Sequence, residues 1–393
     1  MQSLTRISRR LLVPALLSLA SCNFLDVGPP PTQVVDNNVF VADASASAAV
    51  LGIYVSMTSG GFPGIAASGA STGTLATYAG LSADELLFVN NQFDDFRLNQ
   101  INAAGAAVQN VWSQAYQTIY QCNAAVNGLT ASTTLTASLR NQLLGEAKFM
   151  RAFNYFYLTN IYGDVPLVLT TDYTVSGTQP RAPRADVYAQ VLLDLLDAQQ
   201  LLVPAYPVSG ERTRANQAAA TALLARVYLY QQNWAAAEAQ ASAVIALTGQ
   251  YQLPALGQVF LAGSPEAIWQ LRRSGNVSTN TYDGANFIPV SLTVAPTATY
   301  VLTNALYSAF GTPDNRRTAW ASAFTVAGTT YRYPFKYQQR LAAANAGAAT
   351  EYNNTLRLAE QYLIRAEARI QQGNTATGLA DLNVVRARAA ATP

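Results

Sequence analysis

The segment from Ser138 to Tyr162 constrains this chain most. Phe149, Phe153, Phe156, Tyr157 and Ile161 recur there at helical spacing as one stripe, with Tyr155, Leu158 and Tyr162 beside it. A helix that is apolar on two sides has to be covered by neighbours on both. The fold must therefore wrap other helices around this one, and the sequence supplies them. Periodicity predicts helices at about 41–57, from near Val108 to about Gly128, and at about 185–203, 214–232, 234–248, 355–372 and 375–390. In the first of these, Val41, Ala44, Ala48, Leu51 and Val55 fall three and four apart.

Two of the helical blocks repeat. At a constant offset of 141, residues 214–248 align with 355–389, matching Ala225 with Ala366, Asn233 with Asn374, Ala237 with Gly378, Ala241 with Leu382 and Val244 with Val385. Small residues let two antiparallel helices approach closely, and an Asn or Gly-Asn between them suits a tight turn. This is the logic of a tetratricopeptide-like pair, although alanine-rich helices also align by composition alone. Between the blocks the pattern changes. Residues 58–80 are rich in Gly, Ser and Thr and are predicted to be a surface loop. Residues 251–353 turn to shorter Thr-, Val-, Tyr- and Pro-rich segments such as GNVSTNTYDGANFIPVSLTVAP, which suit loops and a few short strands. The expected fold class is mostly α, with tetratricopeptide-like helical pairs forming a scaffold and an irregular loop and short-strand subdomain inserted. Residues 41–393 are read as one domain, its helical repeats at about 108–162, 185–248 and 355–390 and its insertion at about 251–353.

Composition narrows the chemistry. Lys and Arg number 24 against 22 Asp and Glu, so there is no basic excess to neutralise phosphates, and nucleic acid is not an expected partner. Histidine is absent, which removes Ser-His-Asp and Cys-His catalysis and leaves carboxylates, Lys and Tyr as general acids or bases. The two cysteines, Cys22 and Cys122, make no disulfide framework. With no histidine or nearby cation to lower its pKa, Cys122 reads as a buried small hydrophobe on a helix.

The amino terminus is an address. Arg6, Arg9 and Arg10 precede the apolar run Leu11 to Ala20, which is signal-peptide layout. At about ten residues, broken by Pro14, the run falls short of the roughly 20 that cross a bilayer as a helix. It ends in Leu19-Ala20-Ser21-Cys22, which resembles the bacterial lipobox. Residues 1–21 are thus expected to be removed and Cys22 to carry lipid, each buried methylene contributing about 0.8 kcal/mol to the anchor. Residues 22–40, stiffened by Pro29-Pro30-Pro31, are expected to be a lipidated tether.

Six stretches, in order, carry a resemblance. The most specific is GEAKFMRAFNYFYLTNIYGDVPL at Gly145 to Leu167. Similar in kind are VWSQAYQTIYQCNAAV at Val111 to Val126, NQAAATALLARVYLYQQNW at Asn216 to Trp234, and LRLAEQYLIRAEARIQQGN at Leu356 to Asn374 leading into DLNVVRARA. SPEAIWQ at Ser264 to Gln270 and TPDNRR at Thr312 to Arg317 agree too. In these the chain resembles the SusD/RagB family, lipid-anchored nutrient-binding proteins of Bacteroidota that sit over a TonB-dependent outer-membrane transporter. The resemblance implies an outer-membrane lipoprotein facing the exterior that captures an oligosaccharide, or in some members a peptide. It also implies delivery to a SusC-like TonB-dependent transporter with no bond broken. Members usually continue past the RARA helix, whereas this chain stops at Thr392-Pro393, and the expectation is C-terminal truncation.

The charged residues of the signatures read as scaffold. Glu146 and Arg151 are five apart, on different helix faces, and so should have separate partners. Arg226, Arg365 and Glu367 should pair between packed helices. For a sugar ligand, flat aromatic faces and polar groups in loops are required. The candidates are Tyr78 in the Gly/Ser loop, Tyr282 and Asn286 in NTYDGANF, Trp320 after DNRRTA, and Tyr331 and Tyr333 in TTYRYPF. Trp112, Trp234 and Trp269, the last following an apparent strand, are assigned to the core. Two alternatives stay open. A glycosidase would need two carboxylates, and Asp84-Glu85 and Asp94-Asp95 are the visible pairs, but adjacent residues do not flank a scissile bond. A helical-repeat adaptor would present a broad apolar concave surface instead of a narrow depression lined by Tyr and Asn. No cofactor is expected, and carboxylates at Asp94-Asp95 or Asp283 match no recognised calcium loop.

Overall fold

The computed structural model describes residues 39–58, 75–273, 280–297, 299–341 and 349–391. The signal segment, Cys22 and most of the tether lie outside the described residues. Helix α1 (Asp43–Thr58) is followed by α2 (Leu75–Ser82), strand β1 (Leu86–Phe88) and the short α3 (Asp94–Arg97). Two long helices come next, α4 (Ala106–Ala131) and α5 (Ala137–Tyr162). A connection holding β2 (Val165–Pro166), α6 (Tyr173–Ser176) and β3 (Arg181–Ala182) leads to α7 (Arg184–Leu201), and then the pair α8 (Gln217–Tyr230) and α9 (Trp234–Ile245). The insertion contributes β4 (Ala267–Leu271), α10 (Tyr282–Phe287), β5 (Tyr300–Leu302), α11 (Asn304–Ala309), α12 (Arg316–Ala319) and the hairpin β6 (Ala321–Val326) with β7 (Thr329–Pro334). Strand β8 (Asn353–Arg357) then runs directly into the pair α13 (Leu358–Gln371) and α14 (Thr375–Arg388). Among the described residues no helix is long and apolar enough to cross a membrane.

Helix α5 is the hub that its sequence demands. Packing against α4, α7 and α1, it buries Leu143, Ala147, Phe149, Met150, Phe153, Tyr155, Phe156 and Leu158. Phe149 and Phe153 meet the edge of Trp269 at 4.8 and 5.2 Å, which makes the tryptophan the joint between helix and insertion. Trp269 lies inside β4 and not after it, and it is fully buried.

Charged residues of the signatures are buried in pairs. Glu146 accepts from Arg214 at 2.6 Å, while Arg151 makes a bidentate pair with Asp194 and also donates to Asn123 at 3.0 Å. Arg226 holds Glu360 across α8 and α13, and Arg365 holds Asp381 across α13 and α14. Glu367, expected to pair, is exposed. A paired, hydrogen-bonded charge tolerates burial, whereas a lone one does not. Cys122 is buried on α4 as expected, and burial pushes its thiol far above the usual range. Arg151 does stand close enough to pull the other way, a cation the sequence reading missed.

The repeat is real in three dimensions. Asn233 caps α9 by accepting from the Ala236 amide at 3.3 Å, and Asn374 occupies the equivalent place before α14. Ala225, Ala237 and Ala241 pack with Ile364 and Ala368, so α9 lies on α13 and the two pairs stack. At Gly378 an added Cβ would stand 2.7 Å from the Ala366 carbonyl oxygen, so the close approach requires glycine.

Two segments differ from expectation. Of the loop expected at 58–80, residues 59–74 lie outside the described residues, whereas residues 75–80, placed there by the composition of their neighbours, belong to α2. Tyr78 and Leu81 recur there at helical spacing and bury against Leu86, Phe93 and Phe96. Residues 355–357, placed at the start of a helix, complete β8: the β-branched Thr355 suits a strand, and Leu356 and Arg357 pair with Trp269 and Ala267 of β4. The described strands form four antiparallel ribbons, β1 with β5, β2 with β3, β4 with β8 and β6 with β7. Of these, the β4 and β8 ribbon ties the insertion to the helical stack.

Candidate functional site

A cleft of about 550 Å³ opens where the end of α1, the start of α2, helices α5 and α8, and the insertion converge. Its apolar wall is built by helical register. Phe153, Tyr157 and Ile161 stand one turn apart on α5, and Tyr230 follows at the end of α8. Tyr157 is fixed by accepting from Arg226 at 2.8 Å. Tyr230 packs on Phe156 at 5.0 Å between centroids yet keeps 54% of its surface open, which leaves an aromatic face free for a ligand.

The opposite wall is polar. Thr281 caps α10 by accepting from the Gly284 amide at 2.9 Å, which sets Tyr282 and Asp283 at the cleft in the first turn. Asn353 on β8 donates to Asp283 at 3.2 Å. Burial pushes the Asp283 carboxyl up to about 6, with Lys336 and the Asn353 bond pulling the other way. The Arg273 guanidinium lies 4.1 Å from the Tyr282 ring centroid, a cation–π pair at the rim. Aromatic faces opposite a carboxylate, an amide and a guanidinium suit a sugar: its C–H face needs the first and its hydroxyls need the second. Asp283 is the single carboxylate among the described lining residues. A smaller cleft of about 400 Å³ adjoins, sharing Thr58, Leu271 and Arg273 and adding Tyr54, Glu211, Arg214 and Arg272.

Of the six ligand candidates read from sequence, Tyr282 lines the cleft. Asn286 is half-buried one turn further along α10. Tyr78, expected in a loop, is buried on α2 and stacks on Phe96 at 4.5 Å, while its neighbours Ala76 and Ala79 face the cleft. Trp320, expected to be open, is half-buried on Phe260 and donates its indole N–H to the Leu256 carbonyl at 3.1 Å. Tyr331 stacks on Phe324, and Tyr333 is buried on the same hairpin face. Both are held by strand alternation away from the cleft. Cys22 lies outside the described residues.

Sequence reasoning missed Tyr157, Tyr230, Arg273 and Asn353 as lining residues and weighed Asp283 only as a calcium ligand. The usable signal was local: Asp283 adjoins Tyr282, and Tyr157 and Ile161 repeat at helical spacing at the end of an already covered helix. The acidic pairs weighed for hydrolysis are elsewhere. Asp94 is engaged by Arg97 at 2.7 Å at the start of α3. Among the described residues no group of three or more His, Cys, Asp or Glu side chains could hold a metal.

Comparison with known proteins places this geometry. A family model described as "Starch-binding associating with outer membrane" matches residues 23–229, more than half of the chain, and one described as "SusD family" matches residues 322–393. The "SusD-like protein P2" of Formosa agariphila is 26% identical over 284 residues, covering 68% of this chain and 53% of that protein. The "SusD-like protein P25" of the same organism is 26% identical over 172 residues, covering 42% and 32%. The matches thus span about a third to a half of these relatives' length. A SusD superfamily protein from Parabacteroides distasonis superposes with a TM-score of 0.76 at 23% identity, covering 89% of this chain and 81% of that one. A SusD-like carbohydrate binding protein from Bacteroides vulgatus does so with a TM-score of 0.70 at 17% identity, covering 89% and 76%. At such identities the likeness establishes the fold.

Proposed function

This chain belongs to the SusD family, and from that premise we propose that it captures a nutrient oligosaccharide in the cleft between α5, α8 and the insertion and hands it to a SusC-like TonB-dependent transporter. Function has to be argued from the site and not from the fold. The observation that carries the reading is the pairing, in one cleft of about 550 Å³, of the open ring of Tyr230 with the polar wall of Arg273, Asp283 and Asn353. A sugar ring laid against Tyr230 buries its C–H face, and Asp283 and Asn353 then satisfy its hydroxyls. A lone carboxylate gives hydrolysis no acid and base flanking a bond, so the bound glycan leaves intact. A cleft lined by Tyr157, Tyr230, Tyr282, Asn160 and Asn353 favours sugar capture over the adaptor reading, which calls for a broad apolar concavity. The name of the Bacteroides vulgatus neighbour, a carbohydrate binding protein, agrees.

Lipid on Cys22 would hold the protein at the outer membrane, facing the exterior beside its transporter. The Leu19 to Cys22 segment motivates this, and Cys22→Ala should shift the protein out of the outer-membrane fraction. Capture itself is tested by affinity electrophoresis against a panel of neutral polysaccharides. At least one should retard the protein, Tyr230→Ala should abolish the retardation, and no reducing ends should be released. Retardation unchanged in Tyr230→Ala, or glycan turnover by the pure protein, counts against the reading.

A further inference from the structure

Away from the cleft, two arginines converge on one tyrosine. Arg317 on α12 and Arg332 on β7 each hold the guanidinium carbon 4.5 Å from the ring centroid of Tyr307 on α11. The TPDNRR signature delivers the first of them: Arg316 turns back to Asp314 at 2.6 Å, and Arg317, next in the chain, goes to Tyr307 instead. Strand alternation delivers the second, because Arg332 lies between Tyr331 and Tyr333 and so projects from the other face of the hairpin. Arg332 also donates to the Asn304 side-chain oxygen at 3.3 Å.

This pair differs from the arginines of the helical scaffold in lacking counter-charge. Arg151, Arg214, Arg226 and Arg365 each hold a carboxylate at 2.5 to 2.6 Å. Among the described residues no carboxylate lies within 4.0 Å of Arg317 or Arg332. Both guanidiniums act on the Tyr307 hydroxyl and pull its pKa below the usual tyrosine value. None of the three residues is buried, and Asn304, Ala305 and Ser308 around them are exposed. Both guanidiniums bear on one half-buried phenol, and an anion seated beside it would meet two cations that no carboxylate compensates.

We propose that Arg317, Arg332 and Tyr307 form an oxyanion subsite that grips the carboxylate or sulfate ester of an acidic saccharide. The guanidinium fork matches both groups in shape, and the phenol adds a third donor. The proposal rests on the glycan-capture reading and sharpens it, naming acidic glycans as a preferred class. A purely structural brace would be indifferent to the charge of the ligand.

The test compares the full chain with R317Q/R332Q by calorimetry and affinity electrophoresis. The probes are polygalacturonate and galacturonate for the carboxylate, a sulfated galactan and galactose 6-sulfate for the sulfate ester, and a neutral galactan. Wild type should bind at least one acidic class, with an affinity that falls as salt rises. The double variant should lose on the order of tenfold or more in that affinity while neutral-glycan binding and the unfolding midpoint stay unchanged. Whichever class responds identifies the source of the oxyanion. Failure of the folded wild type to bind any acidic probe overturns the subsite, as does acidic binding that survives the double substitution. R317K/R332K, which keeps the charge and loses the fork, should retain part of the affinity if R317Q/R332Q unfolds, and full loss with a folded protein would leave charge no role and end the proposal. The capture reading is judged separately, by neutral-glycan retardation and its dependence on Tyr230, so either can fail without the other.

Discussion

The helical stack and the insertion hold themselves together by different means. In the stack, neighbouring helices are locked by ion pairs such as the buried Arg151 with Asp194 and the half-buried Arg226 with Glu360, Arg214 just before α8 holds Glu146 of α5, and small residues allow close approach. In the insertion, two-stranded ribbons pin loops over small aromatic clusters: Tyr300 of β5 joins Phe88 and Phe93 from the segment before α4, and Phe260 packs with Tyr337. The first arrangement turns the charged groups of the signatures inward, onto one another. The second leaves charged and aromatic side chains at the surface, which is where binding chemistry needs them. Both the cleft's polar wall and the Tyr307 arginine pair belong to the insertion.

The contrast is sharpest in the ion pairs. Asp194→Ala would leave the buried Arg151 guanidinium without its carboxylate, and it should cost about 3 to 5 kcal/mol of unfolding free energy in a denaturant titration. Asp94→Ala, which removes the partner of Arg97 in an i,i+3 surface pair, should leave the denaturation midpoint in place. Equal losses from the two variants would erase the distinction between locked stack and loosely held periphery.

A smaller effect should follow from the repeat. Gly378→Val brings side-chain atoms against the Ala366 carbonyl and Ile370, pushing α14 off α13. Overpacking of this kind costs about 1 to 3 kcal/mol, only partly offset by the gain in helix propensity over glycine. The corresponding change in the other pair, Ala237→Val, meets the same constraint at a position already carrying a Cβ, so it should cost less. A valine at Gly378 that stabilised the protein would mean that the two pairs do not pack as closely as their aligned small residues imply.

The same division governs what the amino-acid sequence discloses. Helices were legible because burial imposes a 3.6-residue period that survives in the order of residues, as in Phe149, Phe153, Phe156 and Tyr157. Even Glu146 and Arg151 could be assigned to separate partners from their spacing alone, although their partners, Arg214 and Asp194, could not be named. The cleft was far less legible. Its walls come from Thr58, Tyr157, Tyr230, Arg273, Asp283 and Asn353, which are scattered along the chain and share no local pattern. Tyr78 and Trp320 illustrate the converse. Both sit in loop-like composition, yet tertiary contacts with Phe96 and Phe260 draw them inward. A tyrosine's neighbours in sequence do not say which way its ring turns when the segment around it is short.

Asp283 offers the finest test of the comparison, because it is the one carboxylate in the described cleft lining and sits on the insertion side. Burial raises its pKa to about 6. A raised carboxyl in the folded state binds more protons than the unfolded chain between the ordinary aspartate range and that value. Its contribution to stability is therefore most favourable at low pH and declines as pH rises through about 6. Glycan affinity should run the other way, because the ionised group accepts hydrogen bonds from sugar hydroxyls more strongly than the neutral one. Asp283→Asn keeps the shape and the bond partner on Asn353 while removing both slopes. The variant should be equally or slightly more stable at neutral pH, and its affinity should fall by roughly tenfold, about 1.4 kcal/mol, and cease to vary between pH 5 and 7. The measurement is a pair of pH series, one of unfolding and one of binding, for wild type and variant. If wild-type affinity is flat across that range while its stability follows the expected slope, Asp283 titrates without touching the ligand, and the polar wall of the cleft must be reassigned to Arg273 and Asn353.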